Sequence, residues 1–166
     1  MSRPPLIPIV IGTGFGAGFW PWGPGTAGAV VATALWMLLH SILSAGVLLL
    51  TTVALIVVFT TLGTWAAHRL MPFWGDDPSR VVVDEMVGVW VALLPAAHSH
   101  HSLLPLAGSV TQNVWVAALA ALLLFRFFDI VKPLGIRSLD QRHGAFWVMA
   151  DDLLAGAYAA TILLII

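Results

Sequence analysis

The acidic side chains of this sequence are the residues best suited to chemistry, because most of them lie where an ordinary surface acid would not. Five interrupt otherwise apolar sequence: Asp84, Glu85, Asp129, Asp151 and Asp152. Carboxylates in a chain without cysteine form a hard-oxygen ligand set, which suits Mg²⁺, Mn²⁺ or Ca²⁺ better than zinc or copper. Arg126 and Lys132 lie on either side of Asp129, and such cations beside a bound metal commonly hold a phosphoryl group. The residue types therefore indicate metal-assisted phosphate chemistry.

Each of these groups also has a plainer interpretation. Acids near helix starts can be solvated groups that complement the helix dipole. Arg126, Asp129 and Lys132 are spaced by three and can form an ion-pair ladder along one helix. An unpaired ionisable group inside a membrane is costly, so we favour a functional role for the five embedded acids. For the remaining acids we expect solvated loop positions: Asp76, Asp77 and Asp140.

The composition places the chain in a membrane. Of its 166 residues, 60% are hydrophobic and only 9% are charged, whereas a soluble domain has about 25% charged residues. This scarcity excludes an ordinary soluble globule and a disordered tail, and a nucleic-acid binder would need a basic surface, whereas the net charge here is −1. The length predicts a single domain over residues 1–166. We therefore predict a small integral membrane protein that contacts the lipid bilayer and no nucleic acid.

Five apolar runs are the candidates for membrane-spanning helices, each of which needs about 20 apolar residues. They cover residues 27–44, 45–67, 81–97, 103–125 and 148–166. Because the first run is short and acids interrupt the third and fifth, we predict an all-α bundle of about four to five hydrophobic helices after a Gly/Pro-rich N-terminal loop. Gly88, Ala155 and Gly156 follow the acid pairs by about one turn and are small enough for close helix packing.

The basic residues predict the orientation of this bundle. If the runs cross alternately from an inner N-terminus, all seven lysines and arginines fall on the inner side, as the positive-inside rule expects. The inner segments are then 1–26, 68–80 and 126–147. The same threading places the acid pair at 84–85 in the first turn of the third helix and the pair at 151–152 in the first turn of the fifth. All eight acids then lie near the inner membrane boundary.

The segment before the first apolar run could contribute to phosphate binding. Residues 12–18 are rich in glycine, and Thr26 is a good N-cap for the first long helix. Free N–H groups at that helix start, near Gly25 and Thr26, would face a phosphate at the inner boundary. A Gly-rich loop alone is more often a flexible entry segment. This one lacks the preceding strand of a dinucleotide fingerprint and the Lys-Ser/Thr pair of a Walker loop.

The histidines invite a metal interpretation that their positions do not favour. His98, His100 and His101 fall on the outer side in this threading, about 30 Å from the acids, so we expect a polar outer loop. His143 lies in the last inner segment beside Arg142. It could assist proton transfer, although a solvated loop histidine is the plainer expectation.

Three blocks of residues, in order along the chain, resemble one known family. The first block is Gly14-Phe15-Gly16-Ala17-Gly18 followed by Pro21, Pro24-Gly25-Thr26 and Gly28. The second is Val83-Asp84-Glu85 with Gly88. The third begins with Phe125-Arg126-Phe127-Phe128-Asp129 and Lys132-Pro133, and continues through Ile136-Arg137, Asp140, His143-Gly144 and Met149-Ala150-Asp151-Asp152 to Ala155-Gly156. On these blocks the chain resembles the phosphatidylglycerophosphatase A family of bacterial inner-membrane lipid phosphatases over nearly its whole length.

The resemblance implies an all-helical, multi-pass enzyme of the bacterial inner membrane that acts on its cytoplasmic face. The implied reaction is Mg²⁺-dependent hydrolysis of phosphatidylglycerophosphate to phosphatidylglycerol and inorganic phosphate. We expect the five embedded acids to hold the metal and act in catalysis. The substrate phosphate would be bound by Arg126, Lys132, Gly25 and Thr26. The chain departs from the family at Ala29, Gly135 and Ala145, where Ser, Pro and Gly are common, and these changes concern loop geometry or lipid contacts.

One alternative from another functional class is open at this point. A small divalent-cation transporter or channel could use the same carboxylates as ion ligands. Such a path would need acids distributed through the membrane, whereas the outer halves of all five apolar runs contain none. These residues leave open the number of metal ions, the choice between a metal-activated water and a phospho-aspartate intermediate, and activity on other phospholipid monoesters. They also leave open the oligomeric state and whether residues 27–44 fully span the membrane.

Overall fold

The computed structural model describes residues 3–76, 78–98, 113–133 and 135–166, and in these ranges the chain is helical and has no β-strand. The helices are α1 Leu6–Gly12, α2 Pro24–Ile42, α3 Ala45–Trp74, α4 Val83–Ala92, α5 Leu94–His98, α6 Val114–Val131, α7 Ile136–Asp140 and α8 Ala145–Ile165. A short 3-10 turn at Ala17–Phe19 lies between α1 and α2. The predicted all-α class is confirmed, and a single domain over residues 1–166 stays a prediction.

Four helices in the described ranges are long and apolar enough to cross a membrane, namely α2, α3, α6 and α8. At a rise of about 1.5 Å per residue, even α6, the shortest of them, spans about 27 Å, close to the hydrocarbon thickness of about 30 Å. Large apolar side chains on these helices face outward, among them Leu50, Leu123 and Ile165, which are 72%, 60% and 70% exposed. Such a surface suits lipid rather than water. The predicted membrane bundle is therefore confirmed.

The third apolar run is the centre of the bundle and is divided between two shorter helices. α4 packs against α2, α3 and α8, and nearly all side chains at 83–90 are buried. Trp90 donates its indole N–H to the Ala32 carbonyl of α2 at 3.0 Å. Leu93 separates α4 from α5, because Pro95 has no backbone N–H with which to continue the helix of α4.

The start of α2 differs from the prediction. The helix begins at Pro24, and its N-cap is Gly23, with no side-chain cap. Thr26 therefore lies inside the first turn, and its predicted N-cap role is wrong. The earlier start has a physical reason, since a proline at the first helical position has a suitable φ and needs no partner for an N–H.

The start of α8 also differs from the prediction. The helix begins at Ala145, directly after Gly144 with φ 118°, and has no acid in its first turn. Asp151 and Asp152 therefore lie in the second turn, and their predicted place in the first turn is wrong. The apolar stretch at 145–147 is part of the helix because it contains no residue that breaks a helix. Gly144, directly before it, is the N-cap. The acids of α4 do lie in its first turn, as predicted.

Two further helix boundaries are refined by the structure. α3 continues past position 67 to Trp74 and includes Pro72 in its last turn. α6 begins after Asn113, whose side-chain oxygen accepts hydrogen bonds from the N–H groups of the first turn. This cap satisfies donors that have no partner within the helix. The predicted start of this run at 103 lies outside the described residues.

The N-terminal Gly-rich segment packs beside α3 and the start of α4. The Val82 N–H donates to the Gly12 carbonyl at 2.8 Å. Gly18 lies so near the Arg80 carbonyl that a Cβ would overlap it. Positive φ angles at residues 14–16 let the chain reverse here. The segment thus closes the bundle end at which α2 and α4 begin, and among residues 3–18 none lines the main cavity described next.

Candidate active site

The predicted acids lie at one end of the bundle, around a cavity of about 420 Å³. Its walls come from the starts of α2, α4 and α8, the end of α6, and parts of the segments at 76–81 and 140–143. All five embedded acids and both predicted cations line it: Asp84, Glu85, Asp129, Asp151, Asp152, Arg126 and Lys132. Helices that are far apart in sequence therefore bring these charges together.

Three of the acids, Asp84, Glu85 and Asp152, form what we call the carboxylate cluster. Each places one oxygen within 4.8 Å of the other two. Asp84 and Asp152 are only 8% and 4% exposed, and Oε2 of Glu85 is buried with no hydrogen-bond partner in the described part of the chain. Buried like charges repel one another unless a cation lies among them. The orphaned oxygen and the oxygen-only donor set therefore fit a hard divalent cation.

Glycines bring α4 and α8 close enough to form the carboxylate cluster. A Cβ at Gly88 would lie 2.8 Å from the Asp152 carbonyl oxygen, and one at Gly156 would overlap the Gly88 carbonyl. Side chains cannot be accommodated at such distances, so the predicted close packing at these positions is confirmed. Gly88 and Gly156 each follow an acid of the cluster by one turn. The approach of the two backbones therefore sets the spacing of the carboxylates.

Arg126 connects the carboxylate cluster to α6. Its Nη1 lies 2.5 Å from Oδ2 of Asp129, one turn further along the same helix. The same nitrogen is 4.0 Å from Oε1 of Glu85. The Nε atom is buried without a hydrogen-bond partner among the described residues. Arg126 thus carries its charge between the cluster and Asp129 and keeps donor capacity for a bound anion.

Lys132 supplies the second positive charge. It caps the end of α6 in a left-handed conformation, with φ 49° and ψ 54°, and its ammonium donates to Oδ2 of Asp151 at 2.7 Å and to Oδ1 of Asp140. Burial alone would lower the pKa of Lys132, but these two carboxylates outweigh that effect and raise the pKa above its usual value. The lysine therefore stays charged. Its partners are Asp151 and Asp140, so the predicted ion-pair ladder forms only between Arg126 and Asp129.

Gly25 brings the start of α2 to the cavity. A Cβ there would overlap the Glu85 carboxylate and lie 3.2 Å from Nη1 of Arg126, so only glycine permits this approach. The first N–H groups of a helix have no partner within it, and here they lie next to the two charged groups. The Thr26 side chain is exposed and does not line the cavity. Only the backbone of Thr26 can contribute to this helix start.

Comparison with known proteins identifies a family that the chain matches over most of its length. The sequence model of the family described as Phosphatidylglycerophosphatase A matches residues 10–166. The chain belongs to this family. It is 33% identical over 160 residues to a phosphatidylglycerophosphatase A of Haemophilus influenzae, covering 95% of this chain and 87% of that protein. It is 28% identical over 163 residues to a phosphatidylglycerophosphatase A of Escherichia coli K12, covering 93% of this chain and 80% of that protein.

Another relative carries a different name. A Bacteroides thetaiotaomicron protein with the provisional name phosphatidylinositol-3-phosphatase is 50% identical over 159 residues, covering 96% of this chain and 92% of that protein. No solved structure matches the chain. Both names describe phosphatases of phospholipids, and the chain is a lipid phosphatase, a phosphoric monoester hydrolase with membrane-spanning helices. The predicted family and enzyme class are confirmed.

Asp140 and Arg142 line the cavity although they were not among the predicted site residues. Asp140 is exposed, as expected for a loop acid, but it pairs with Lys132 in the cavity wall. Its place in the third block of the family resemblance was the signal that could have found it. Arg142 also lines the cavity, with its guanidinium 4.3 Å from the centre of the Trp147 ring. No spacing in the sequence indicates that contact.

The other candidates of the sequence analysis divide into two sets. Asp76 and His143 are exposed and line the cavity. Their exposure agrees with the solvated positions expected for Asp76 and His143. Because His143 lines the cavity, it is still a candidate for proton transfer. The remaining ones lie outside the described residues: Asp77, His100, His101 and the side chain of His98.

Proposed function

We propose that this lipid phosphatase hydrolyses phosphatidylglycerophosphate to phosphatidylglycerol and inorganic phosphate, with Mg²⁺, in phospholipid biosynthesis. The observation that carries the proposal is one cavity that combines the carboxylate cluster with Arg126 and Lys132. A metal site and two fixed cations are what a phosphomonoester needs for binding and hydrolysis. The family and its two named relatives support this particular substrate.

The carboxylate cluster would hold the Mg²⁺ ion through one oxygen each of Asp84, Glu85 and Asp152. When bound there, Mg²⁺ supplies polarisation of the phosphoryl oxygens and a more acidic water. Asp129 and Asp151 already pair with cations of the chain, so we assign to them the positioning of those cations. Their role as metal ligands stays a prediction.

The chain's own donors would bind the terminal phosphate of the lipid. The guanidinium of Arg126 presents a planar set of N–H groups that matches two phosphate oxygens, and Lys132 adds a compact charge. The N–H groups at Gly25 and Thr26 would add the positive end of α2. As a water oxygen bonds to phosphorus, the bond from phosphorus to the headgroup oxygen breaks, and these donors stabilise the charge on the remaining oxygens. The leaving oxygen takes up a proton, for which His143 is the candidate donor. The attacking water keeps one proton on the released phosphate and loses the other to solvent, from which the exposed His143 regains its proton.

The orientation in the membrane is part of the proposal. All lysines and arginines of the chain fall at 1–26, 68–80 and 126–147, and the positive-inside rule assigns these segments, and the cavity between them, to the cytoplasmic face of the inner membrane. The chain has no cysteine, so a single Ser79→Cys variant provides a direct test. A membrane-impermeant thiol reagent should label it only after the membrane is opened, and labelling of intact cells would contradict this orientation.

One observation favours a second substrate. The relative that is 50% identical carries the provisional name phosphatidylinositol-3-phosphatase, and phosphatidylinositol 3-phosphate, like phosphatidylglycerophosphate, carries a phosphomonoester on a polyol headgroup. The same cations and carboxylates could serve either lipid. The choice between them is then made by whatever contacts the polyol.

The experiment is phosphate release by the purified protein from phosphatidylglycerophosphate, phosphatidylinositol 3-phosphate and phosphatidate, each with Mg²⁺ and with EDTA. We expect Mg²⁺-dependent release with the highest kcat/KM on phosphatidylglycerophosphate. A higher kcat/KM on phosphatidylinositol 3-phosphate would contradict the proposed substrate. Equal phosphate release in EDTA would contradict the proposed dependence on Mg²⁺. Mg²⁺ flux into proteoliposomes without any phosphate release would restore the transporter alternative.

A further inference from the structure

A second cleft, of about 620 Å³, lies between α3 and the start of α8. The α3 wall of this cleft is polar on a helix that is otherwise apolar. At about 100° per residue its positions fall within an arc of about 140° on one face of the helix. They are Thr60, Thr61, Thr64, Trp65 and His68. The three hydroxyls and the imidazole of this face can hydrogen-bond to a polar ligand.

The cleft and the active-site cavity are neighbours. His143 and Trp147 line both of them. The ring of Trp147 is held under the guanidinium of Arg142, with the guanidinium carbon 4.3 Å from the ring centre. A molecule whose phosphate occupies the active site can therefore place its adjoining part in the cleft while remaining in contact with Trp147.

The two cavities also lie at the same depth in the bundle. Gly63, in the same turn as Thr60 and Thr64, is so close to Val83 and Met149 that a Cβ would lie 2.9 Å from a side-chain atom of each. Val83 is the first residue of α4 and precedes Asp84 of the carboxylate cluster. The threonine face is therefore level with the acids, at the depth where a phospholipid headgroup meets the membrane.

The threonines retain hydrogen-bonding capacity. Thr61 and Thr64 donate to the carbonyls of Val57 and Thr60 at 2.9 and 2.7 Å, which leaves the lone pairs of both hydroxyls to accept from a ligand. The hydroxyl of Thr60 is buried and has no partner among the described residues. A change of rotamer would allow it to donate, and an unsatisfied buried hydroxyl gains from doing so.

We infer that this cleft, which we call the threonine cleft, binds the polyol part of the phospholipid headgroup and discriminates between headgroups. The inference rests on the proposed function. The Thr60 hydroxyl would donate to the ligand, and ligand hydroxyls would donate to Thr61 and Thr64. The C–H faces of a glycerol or inositol would lie against Trp65 and Trp147. The volume of about 620 Å³ accommodates either polyol. The cleft therefore acts on the choice of substrate, and the active-site cavity acts on the phosphate.

The test compares phosphatidylglycerophosphate, whose headgroup has a polyol between two phosphates, with phosphatidate, which has a single phosphomonoester and no headgroup polyol. The double variant Thr60→Val/Thr64→Val removes two hydroxyls with little change of shape. In mixed micelles we expect its KM for phosphatidylglycerophosphate to rise about tenfold, with kcat unchanged within about twofold, because two neutral hydrogen bonds are lost in binding. Phosphatidate has no headgroup polyol, and its KM, or its inhibition constant if it is not turned over, should stay unchanged. The double variant Thr60→Ser/Thr64→Ser keeps both hydroxyls, and its KM for phosphatidylglycerophosphate should equal that of the wild type.

Thr161→Val is the matched control, because this exposed threonine on α8 donates only to its own helix, at Ala157, and lies outside the cleft. An unchanged KM for phosphatidylglycerophosphate in the double variant would overturn the inference, as would an equal loss on phosphatidate. If the double variant does not fold, Thr64→Val alone should raise KM about threefold, and no rise would overturn the inference.

The outcome for the wild type separates the two proposals. Phosphate release from phosphatidylinositol 3-phosphate but not from phosphatidylglycerophosphate would overturn the proposed substrate. The same variants would then test the threonine cleft on the inositol lipid, with the same expected rise in KM. A wild type that is inactive on both lipids would overturn the proposed function and the threonine cleft together.

Discussion

Asp151 and Asp152 are neighbours in the sequence, yet they belong to two different groups of charges in one cavity. Asp152 faces Asp84 and Glu85 in the carboxylate cluster, whereas Asp151 bonds to Lys132 at 2.7 Å. Adjacent residues of a helix point about 100° apart, so one turn of α8 delivers an acid to each group. Both side chains are buried. The difference between them therefore lies in their partners and not in their exposure to water.

The second group, which we call the ion-paired group, consists of two cations and the three acids that contact them. Its members are Arg126, Lys132, Asp129, Asp140 and Asp151. Here each carboxylate has a cationic partner within the chain, so folding alone supplies the ion pairs. Among the described residues, the one cation within 4.0 Å of an oxygen of the carboxylate cluster is Arg126, which leaves three buried acids with little compensating charge. We therefore expect the cluster to respond to metal and the ion-paired group to respond to changes in its partners.

The largest effect is expected for Asp152→Asn. Loss of one ligand of the carboxylate cluster should lower kcat about 10³-fold. We expect Mg²⁺ to raise the thermal stability of the wild type and not that of Asp152→Asn. In EDTA the stability of the variant should be unchanged or higher, because one repelling charge is gone. Phosphate release measures kcat, and thermal unfolding in detergent, with Mg²⁺ and with EDTA, measures the stability. Asp151→Asn is the matched variant, and Mg²⁺ should still raise its unfolding temperature. If Mg²⁺ raised the unfolding temperature of Asp152→Asn as much as that of the wild type, the distinction between the two groups would be wrong.

A large effect is also expected for Gly88→Ala, which acts on the spacing of the carboxylate cluster without changing a charge. The added Cβ would overlap the Phe125 ring and press on the Asp152 carbonyl at 2.8 Å, and it should cost about 1–3 kcal/mol of stability. It should also lower kcat about 10²-fold, because a shift of about 1 Å misplaces the cluster. Gly46→Ala in α3, where nothing lies within 4 Å of the added Cβ, is the control and should leave both quantities almost unchanged. Normal activity in folded Gly88→Ala would show that close packing does not set the cluster.

A smaller effect is expected for Arg126→Lys, which keeps the positive charge of the ion-paired group but loses the planar guanidinium. The kcat/KM for the lipid should fall about tenfold, because a lysine cannot bind two phosphate oxygens at once. Arg137→Lys, at an exposed position that does not line the cavity, should have no effect. Equal activity of Arg126→Lys and wild type would remove this arginine from phosphate binding.

The depth of the acids was predictable from the sequence, because the membrane restricts where charges can lie. Long apolar runs and the one-sided distribution of lysine and arginine predict one membrane boundary for the acids before any contact is known, and the structure brings the five embedded acids to one end of the bundle. Close helix packing was also predictable from the glycines after the acid pairs, because only small residues allow helices to approach closely. These properties depend on composition along the chain and not on the rotation of a helix.

The division of the acids into two groups was not predictable. It depends on where α8 begins, and Ala145 starts the helix earlier than the apolar run suggested. It depends also on the left-handed turn at Lys132, which directs the ammonium to Asp151 and Asp140 rather than to Asp129. Both are details of helix ends, where a small change of local conformation redirects a side chain by many degrees.

The smallest effect is expected for Asp140→Asn, at the exposed edge of the ion-paired group. Its carboxylate is 38% exposed, so its pairing with Lys132 should contribute about 0.5 kcal/mol, and kcat/KM should fall about threefold. Because the pairing raises the pKa of Lys132, this stability is fully present below the unfolded lysine pKa of about 10.4 and is lost only as pH rises through the higher folded value. The difference in unfolding free energy from wild type should therefore be the same at pH 7 and pH 9. Asp151→Asn removes the buried partner of the same lysine and should lower the free energy of unfolding by more than Asp140→Asn does. A larger loss of stability in Asp140→Asn would mean that Asp140, rather than Asp151, holds Lys132 in the cavity.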